Sequence, residues 1–146
     1  MIVNAQLMVQ KEVAQRFIAK PESKDYGITT IAINLTGSCK KLLDVPPSAF
    51  YPAPRVTSSV INLVFEKTIN ELEYKSVMNI VRTVFNQRRK QLKNTLSPLL
   101  FNYLKEKSGE FIEFYQSKKP NFFQLRPENL SSGDFYELYQ EIKNFI

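Results

Sequence analysis

The sequence predicts an α/β fragment followed by a small all-α domain, with the boundary near Lys67. Before Lys67 the apolar segments are short, rich in β-branched residues and separated by proline-containing loops, which is typical of strands. After Lys67 the apolar residues recur at helical spacing. We therefore predict two domains, residues 1-67 and residues 68-146, within the 146-residue chain.

Local patterns predict four strands and one helix in the first domain. The predicted strands are residues 5–10, 28–35, 41–45 and 59–66, and the predicted helix is residues 11–19. We expect the helix to end before Pro21, because proline disfavours the helical conformation of the preceding residue. We expect the strand at 5–10 to be buried. Both faces of the strand at 59–66 are largely apolar, so we expect it to be covered on both sides.

In the second domain a first helix carries a regular apolar stripe. Its members are Tyr74, Val77, Val81 and Val84, widened by Met78, Ile80 and Phe85. A second helix is predicted over 89–100, where Pro98 indicates an early end or a kink. Residues 101–115 are weakly helical with a break near Ser108, and 117–124 form a loop. Ser131 and Asp134 make an imperfect capping box that begins a last helix ending near Lys143.

The composition excludes several classes of site. A single cysteine, Cys39, cannot form an internal disulfide, which indicates a reducing and hence cytoplasmic compartment. We expect Cys39 to be a small, half-buried apolar side chain. The absence of histidine removes the commonest metal ligand, so we expect no metal. No apolar run approaches the roughly 20 residues that cross a bilayer, so we expect no membrane partner. The net charge of +6 favours nucleic acid.

The positive charge is concentrated in one segment. Five cations, Arg82, Arg88, Arg89, Lys90 and Lys93, fall within twelve residues that contain no acid. On one continuous helix Arg82, Arg89 and Lys93 would share a face opposite the apolar stripe, where they could neutralise phosphates. The alternative is an ordinary solvated face, but such faces usually mix charges of both signs.

Arg88 does not fit a continuous helix. It would lie in the middle of the apolar stripe, where an unpaired charge is unfavourable. Either the helix breaks near Asn86 and Gln87, or Arg88 is paired; we favour the break.

A proline-stiffened loop carries two aromatic residues. Phe50 and Tyr51 precede Pro52 and Pro54, whose fixed φ angles favour an extended, rigid loop. An aromatic ring on such a loop can stack on an extruded base. The alternative is a core-filling aromatic beside a turn.

The glycines predict that no cofactor site of the usual glycine-rich kind lies in this chain. The four glycines are Gly27, Gly37, Gly109 and Gly133, and none are two residues apart. Neither G-x-G-x-x-G nor a P-loop can be written with them. The carboxylates of Glu12 and Asp44 have no evident partner, and we assign them no catalytic role.

Three blocks in this order resemble the small-subunit rRNA adenine dimethyltransferase family. The first is QKEVA at 10–14, and the second is VPPSAF at 45–50 followed by SSV at 58–60. The third is FNQRRK at 85–90, followed by RPENLS at 126–131. The resemblance implies that this chain holds the last strands of a Rossmann-like methyltransferase core and then a helical rRNA-binding domain. It also implies that residues 28–34 are helical, against their strand propensity.

The resemblance further implies an activity for the parent enzyme and roles for residues. The family transfers methyl groups from S-adenosylmethionine to the exocyclic amines of two adjacent adenines in small-subunit rRNA. The cofactor loop and catalytic motif of the family lie upstream of these blocks, so we expect this chain alone to bind no cofactor and to be inactive. Phe50 matches the ring that packs against the target adenine, and the basic block from Arg82 to Lys93 matches the surface that faces rRNA.

Three further expectations remain open at this stage. One alternative is a non-catalytic RNA-binding or ribosome-assembly module, and another is a relative that methylates large-subunit rRNA for antibiotic resistance. We also expect an exposed sheet edge with bare apolar surface around Leu7, Val9 and Ile61, and self-association through that edge.

Overall fold

The structure is a computed structural model that describes residues 3–66 and 68–146. The chain divides into two compact units, Met1–Ile69 and Asn70–Ile146. Lys67, at which the sequence indicates a boundary, lies outside the described residues.

The first unit is a three-stranded antiparallel sheet with two helices. Its elements in chain order are β1 (Asn4–Gln10), α1 (Lys11–Ile18), α2 (Ile28–Thr36), β2 (Gly37–Val45) and β3 (Ser58–Phe65). The strand order is β1-β3-β2, so the last strand lies between the first two. Leu7 of β1 and Lys41 of β2 both lie opposite Ile61 of β3, and β2 carries a bulge between Lys41 and Leu43. The core of the unit lies between this sheet and the helices α1 and α2.

The strand expected at residues 28–35 from propensity is wrong, because this segment is the helix α2. The Gly27 N–H donates to Thr30 Oγ1 at 3.3 Å at the start of the helix. The Thr30 hydroxyl in turn donates to the Arg16 carbonyl of α1 at 2.6 Å. Thr30, Ile31 and Leu35 are buried, so tertiary packing stabilises a helix that β-branched residues disfavour on their own.

The burial of the sheet differs from expectation in two ways. The β1 strand is mostly exposed rather than buried. In β3 the side chains of Ser59, Ile61 and Leu63 are buried, but Val60 on the opposite face is only half-buried. The expected coverage of β3 on both faces is therefore wrong for the described residues. The exposed apolar side chains of Met8 and Leu43 flank Val60 on the less covered face. Leu7 is exposed on the other face, where Ile61 is fully buried, and Val9 is half-buried.

Cys39 of β2 packs against the core that Ala14, Ile61 and Leu63 form. It is half-buried, and burial raises the pKa of its thiol above the ordinary value. This environment agrees with a small apolar side chain and disfavours a reactive thiolate.

The second unit contains four α-helices and three short 3₁₀ turns among the described residues. The helices are α3 (Glu71–Phe85), α4 (Leu92–Leu104), α5 (Ser108–Lys118) and α6 (Ser132–Phe145). The turns are Lys105–Lys107, Phe122–Gln124 and Pro127–Asn129. Val77, Val81 and Val84 of the predicted stripe are fully buried, which confirms the face of α3 that packs on its neighbours.

One prediction for the second unit is wrong, and two are confirmed. The early end considered at Pro98 is wrong, because α4 continues through it to Leu104; the alternative of a kink there stays a prediction. The break expected near Ser108 is confirmed, because a 3₁₀ turn at Lys105–Lys107 separates α4 from α5, which begins at Ser108. At the start of α6 the Asp134 N–H donates to Ser131 Oγ at 3.1 Å. The Ser131 N–H donates back to Asp134 Oδ2 at 2.9 Å, which completes the predicted capping box.

Candidate functional site

The first candidate site is the loop between β2 and β3, which carries Phe50. After β2 the chain makes a 3₁₀ turn at Pro47–Ala49, and the Phe50 N–H donates to the Pro47 carbonyl at 3.2 Å. Phe50 itself is half-buried, whereas the next residue, Tyr51, is fully exposed. The loop thus presents one fully accessible ring and one partly covered ring. This arrangement suits stacking on a planar ligand.

The carboxylate of Asp44, to which the sequence assigned no role, links the two strands that flank this loop. Asp44, near the end of β2, accepts a hydrogen bond from Ser59 Oγ of β3 at 2.6 Å. Its other oxygen lies 3.2 Å from Lys41 Nζ and 3.5 Å from Lys11 Nζ. The Ser59 hydrogen bond, supported by the two lysines, holds the pKa of Asp44 below its ordinary value. Sequence spacing could not show this contact, because the two partners lie on different strands.

The second candidate site is the turn that joins α3 to α4. The Gln87 N–H donates to the Val84 carbonyl at 3.1 Å, and the Lys90 N–H donates to the Gln87 carbonyl at 2.8 Å. The Leu92 N–H, at the start of α4, donates to the Leu125 carbonyl at 2.8 Å. These bonds fold residues 86–91 into a compact turn. The helix break that Arg88 indicated is therefore confirmed.

Arg88 is also paired, so both of the alternatives stated for it hold. Its Nε donates to Glu128 Oε2 at 2.8 Å, which joins the α3–α4 turn to the 3₁₀ turn Pro127–Asn129. The side chains of Arg88 and Glu128 are 34% and 27% exposed, so the pair is partly shielded from water. A charge-assisted bond in such a setting is stronger than one at the surface. The ion pair of Arg88 thus stabilises the turn. Its acidic partner, Glu128, lies outside the basic segment.

The other four cations of the segment are accessible. Arg82 on α3, Arg89 and Lys90 in the turn, and Lys93 on α4 are all exposed. Among the residues that the structure describes, none of these four forms an ion pair. Arg82, Arg89 and Lys93 do not share a face of one helix, contrary to the prediction, because α3 ends at Phe85 and α4 begins at Leu92. The structure instead distributes the charges along a helix end, a turn and a helix start.

The described residues offer no evident place for a metal or a glycine-bound cofactor. Across residues 3–66 and 68–146 no three metal-ligating side chains come together. The Gly37 backbone approaches β3 rather than a ligand, since an added Cβ would lie 1.8 Å from the Val64 carbonyl oxygen. Over the same part of the chain, no helix combines the length and apolar character that crossing a membrane requires.

Two solved structures share this fold. The crystal structure of a dimethyladenosine transferase from Plasmodium falciparum superposes with a TM-score of 0.81 at 23% identity, covering 99% of this chain and 58% of that one. The 23S rRNA methyltransferase ErmE superposes with a TM-score of 0.63 at 15% identity, covering 97% of this chain and 55% of that one. The fold is therefore that of the C-terminal part of such methyltransferases.

Sequence comparison gives the family. The sequence model described as ribosomal RNA adenine dimethylase matches residues 1–114. The chain belongs to the ribosomal RNA adenine dimethylase family, which confirms the resemblance carried by the three sequence blocks.

Curated relatives agree with this assignment. The protein named ribosomal RNA small subunit methyltransferase A from Desulfotalea psychrophila is 39% identical over 143 residues, covering 94% of this chain and 48% of that protein. The protein of the same name from Francisella tularensis subsp. novicida is 39% identical over 139 residues, covering 94% and 49%. The chain spans about half the length of the curated relatives it matches.

Proposed function

We propose that this chain is the rRNA-facing C-terminal portion of an S-adenosylmethionine-dependent enzyme that dimethylates two adjacent adenines in small-subunit rRNA. The observation that carries the RNA-facing role is the group of four exposed cations, Arg82, Arg89, Lys90 and Lys93, around the α3–α4 turn. Their partner is then small-subunit rRNA or a precursor of the ribosomal subunit, and the place of action is the cytoplasm.

The four cations are suited to phosphates rather than to bases. Exposed lysine and arginine side chains attract the RNA backbone without reading its sequence. The bond from Arg88 to Glu128 holds the turn that carries Arg89 and Lys90, so the cations are positioned before RNA arrives. Arg88 itself serves mainly as a positioning residue in this proposal, because its charge is already balanced.

Phe50 is proposed to pack against the target adenine. The loop that carries it is closed by its own hydrogen bonds, so a ring there can meet an extruded base without first ordering the chain. Stacking of one base on one ring contributes about 1–3 kcal/mol to binding. The exocyclic amine of adenine is a weak nucleophile, so accurate placement is the main requirement.

The residues of this chain do not fit S-adenosylmethionine. The glycine pattern that cradles such cofactors is missing from the sequence, and Gly37, which tolerates no Cβ, faces strand backbone instead. We therefore assign the cofactor, which supplies the methyl group, to a part of the enzyme outside this chain. Calorimetry tests this assignment: heat from micromolar binding of S-adenosylmethionine to the chain would contradict it.

The RNA-facing role is tested by charge reversal. We expect Arg89→Glu with Lys93→Glu to weaken binding to a labelled small-subunit rRNA fragment. Losing two phosphate contacts should also make the slope of log affinity against log salt less steep, by about 1.4–1.8. The matched control reverses Lys105 and Lys107, which are exposed cations on the turn after α4. Equal slopes for the test and control variants would contradict the proposal.

We also propose that the chain self-associates through the free edge of β1. The Phe65 N–H donates to the Val3 carbonyl and the Lys11 N–H to the Thr57 carbonyl, both at 2.9 Å. Because antiparallel bonding alternates, odd-numbered residues of β1 bond β3, and the backbone groups of Gln6 and Met8 point outward.

The two outer strands of the sheet differ in how they resist edge pairing. The β2 strand has Lys40 and Lys41 and a bulge, which are common devices against it. The β1 strand has no charge, no proline and no bulge. In an antiparallel pair of two copies, Gln6 can lie opposite Met8 of the second copy, which brings the exposed Leu7 side chains together.

A further inference from the structure

A shallow groove between α3 and α4 differs from the basic turn in its chemistry. It is lined by Asn79, Thr83, Pro98, Leu99, Asn102 and Tyr103. Its volume is about 430 Å³, and it is open to solvent, because four of its six lining residues are exposed. Leu99 is buried and forms the apolar floor of the groove, whereas the side chains of Asn79, Asn102 and Tyr103 lie at its rim.

The rim of the groove retains hydrogen-bonding capacity. Asn79 Nδ2 donates to Tyr103 Oη at 3.1 Å, so the phenol oxygen acts as an acceptor there. The phenol hydrogen and the Asn102 amide have no partner within the part of the chain that the structure describes. Pro98 has no N–H, so the Asn94 carbonyl lacks its usual helical donor four residues on. Donors and acceptors therefore lie around one apolar floor.

An exposed cation, Arg82, lies on α3 near the residues that line the groove. Arg82 follows Asn79 by three residues on α3, which is about 60° around the helix. It is exposed and forms no ion pair with a described residue. None of the described residues that line the groove carries a carboxylate. A ligand that suits this surface combines a planar polar group with an adjacent anion.

We propose that this groove binds one unpaired nucleotide of RNA, with the base on Tyr103 and the adjoining phosphate on Arg82. The proposal rests on the RNA-facing role of the second unit and adds a base-contacting site to it. Tyr103 is 39% exposed, which leaves ring surface for stacking. A base inside a duplex has its faces covered and its edges paired, so the groove selects single-stranded segments.

Binding of a mixed-sequence single-stranded decaribonucleotide and of its duplex tests the proposal. We expect Tyr103→Ala to weaken single-strand binding about tenfold and to leave duplex binding within about twofold, because only stacking on an unpaired base is lost. Tyr103→Phe should keep most of the affinity. Phe101→Ala is the matched control, since Phe101 is an exposed ring on α4 outside the groove. Unchanged single-strand affinity, or equal loss for both ligands, would overturn the site.

Photocrosslinking provides a measurement that needs no variant. The unsubstituted chain is irradiated with a decaribonucleotide containing 5-bromouridine, and the adducts are mapped by mass spectrometry. We expect an adduct on Tyr103, and adducts found only elsewhere would overturn the groove. If charge reversal at Arg89 and Lys93 has no effect but the adduct forms on Tyr103, the proposed basic surface fails while the groove stands.

Discussion

Arg88 and Glu128 are forty residues apart in sequence and are joined by a 2.8 Å bond from Nε to Oε2. The contact links the turn after α3 to the 3₁₀ turn before α6. The contact gives Arg88 a structural role, whereas the other four cations of the basic segment remain exposed.

Arg88→Ala should lower the free energy of unfolding by about 1 kcal/mol, a value discounted for the exposure of the pair. The expected fall in Tm is about 5 °C, measured by circular dichroism. Arg82→Ala is the control, because that exposed side chain has no partner among the described residues. A Tm fall no larger than that of the control would show that the pair contributes little.

Gly37→Ala should destabilise the first unit by about 2 kcal/mol. The new Cβ would meet the Val64 carbonyl oxygen at 1.8 Å, so the two strands must separate. Denaturant unfolding measures the loss. Gly109→Ala is the control, because its Cβ meets nothing within 4 Å and alanine favours the helix. Similar stability of the two variants would mean that the strands adjust without loss.

Ser59→Ala should raise the pKa of Asp44 toward its ordinary value of 3.8, because it removes the largest cause of the shift. The folded-state pKa is the lower one, so the bond stabilises the fold above pH 3.8 and is lost as the pH falls through the lowered pKa. Carboxyl NMR titration measures the change. Ser58→Ala is the control, and an unaltered Asp44 titration in Ser59→Ala would contradict the assignment.

Met8→Lys should abolish self-association, because a charge on the β1 edge disfavours strand pairing. Light scattering over a concentration series measures the mass. Leu42→Lys is the matched control, since Leu42 is an equally accessible apolar residue on the outer strand β2. A monomeric unsubstituted chain at high concentration would contradict edge pairing itself, and dimers that persist in Met8→Lys would place the contact elsewhere.

Local pattern predicted most of the second unit. The apolar stripe of α3, the interruption before Arg88 and the capping box at Ser131 each depend on residues within a few turns of one another. Such short-range preferences can be predicted from the sequence, because they depend on residues that are close together in the chain. Pro98 is the exception, since α4 continues through it with Leu96, Leu99 and Leu100 packed inside. Burial of those side chains outweighs the lost hydrogen bond.

By itself the sequence determined the order of the two parts, the family, the lack of a glycine-rich cofactor loop and the accumulation of cations between Arg82 and Lys93. Only the tertiary structure decided which charges are already balanced, because Glu128 reaches Arg88 from a distant turn. It also decided between the strand that propensity predicts and the helix that the resemblance implies for residues 28–36, and it showed that Ser59 donates a hydrogen bond to Asp44. The physical reason is the same in each case. Burial and long-range hydrogen bonds depend on segments that meet only after folding, and they override preferences that act within one segment.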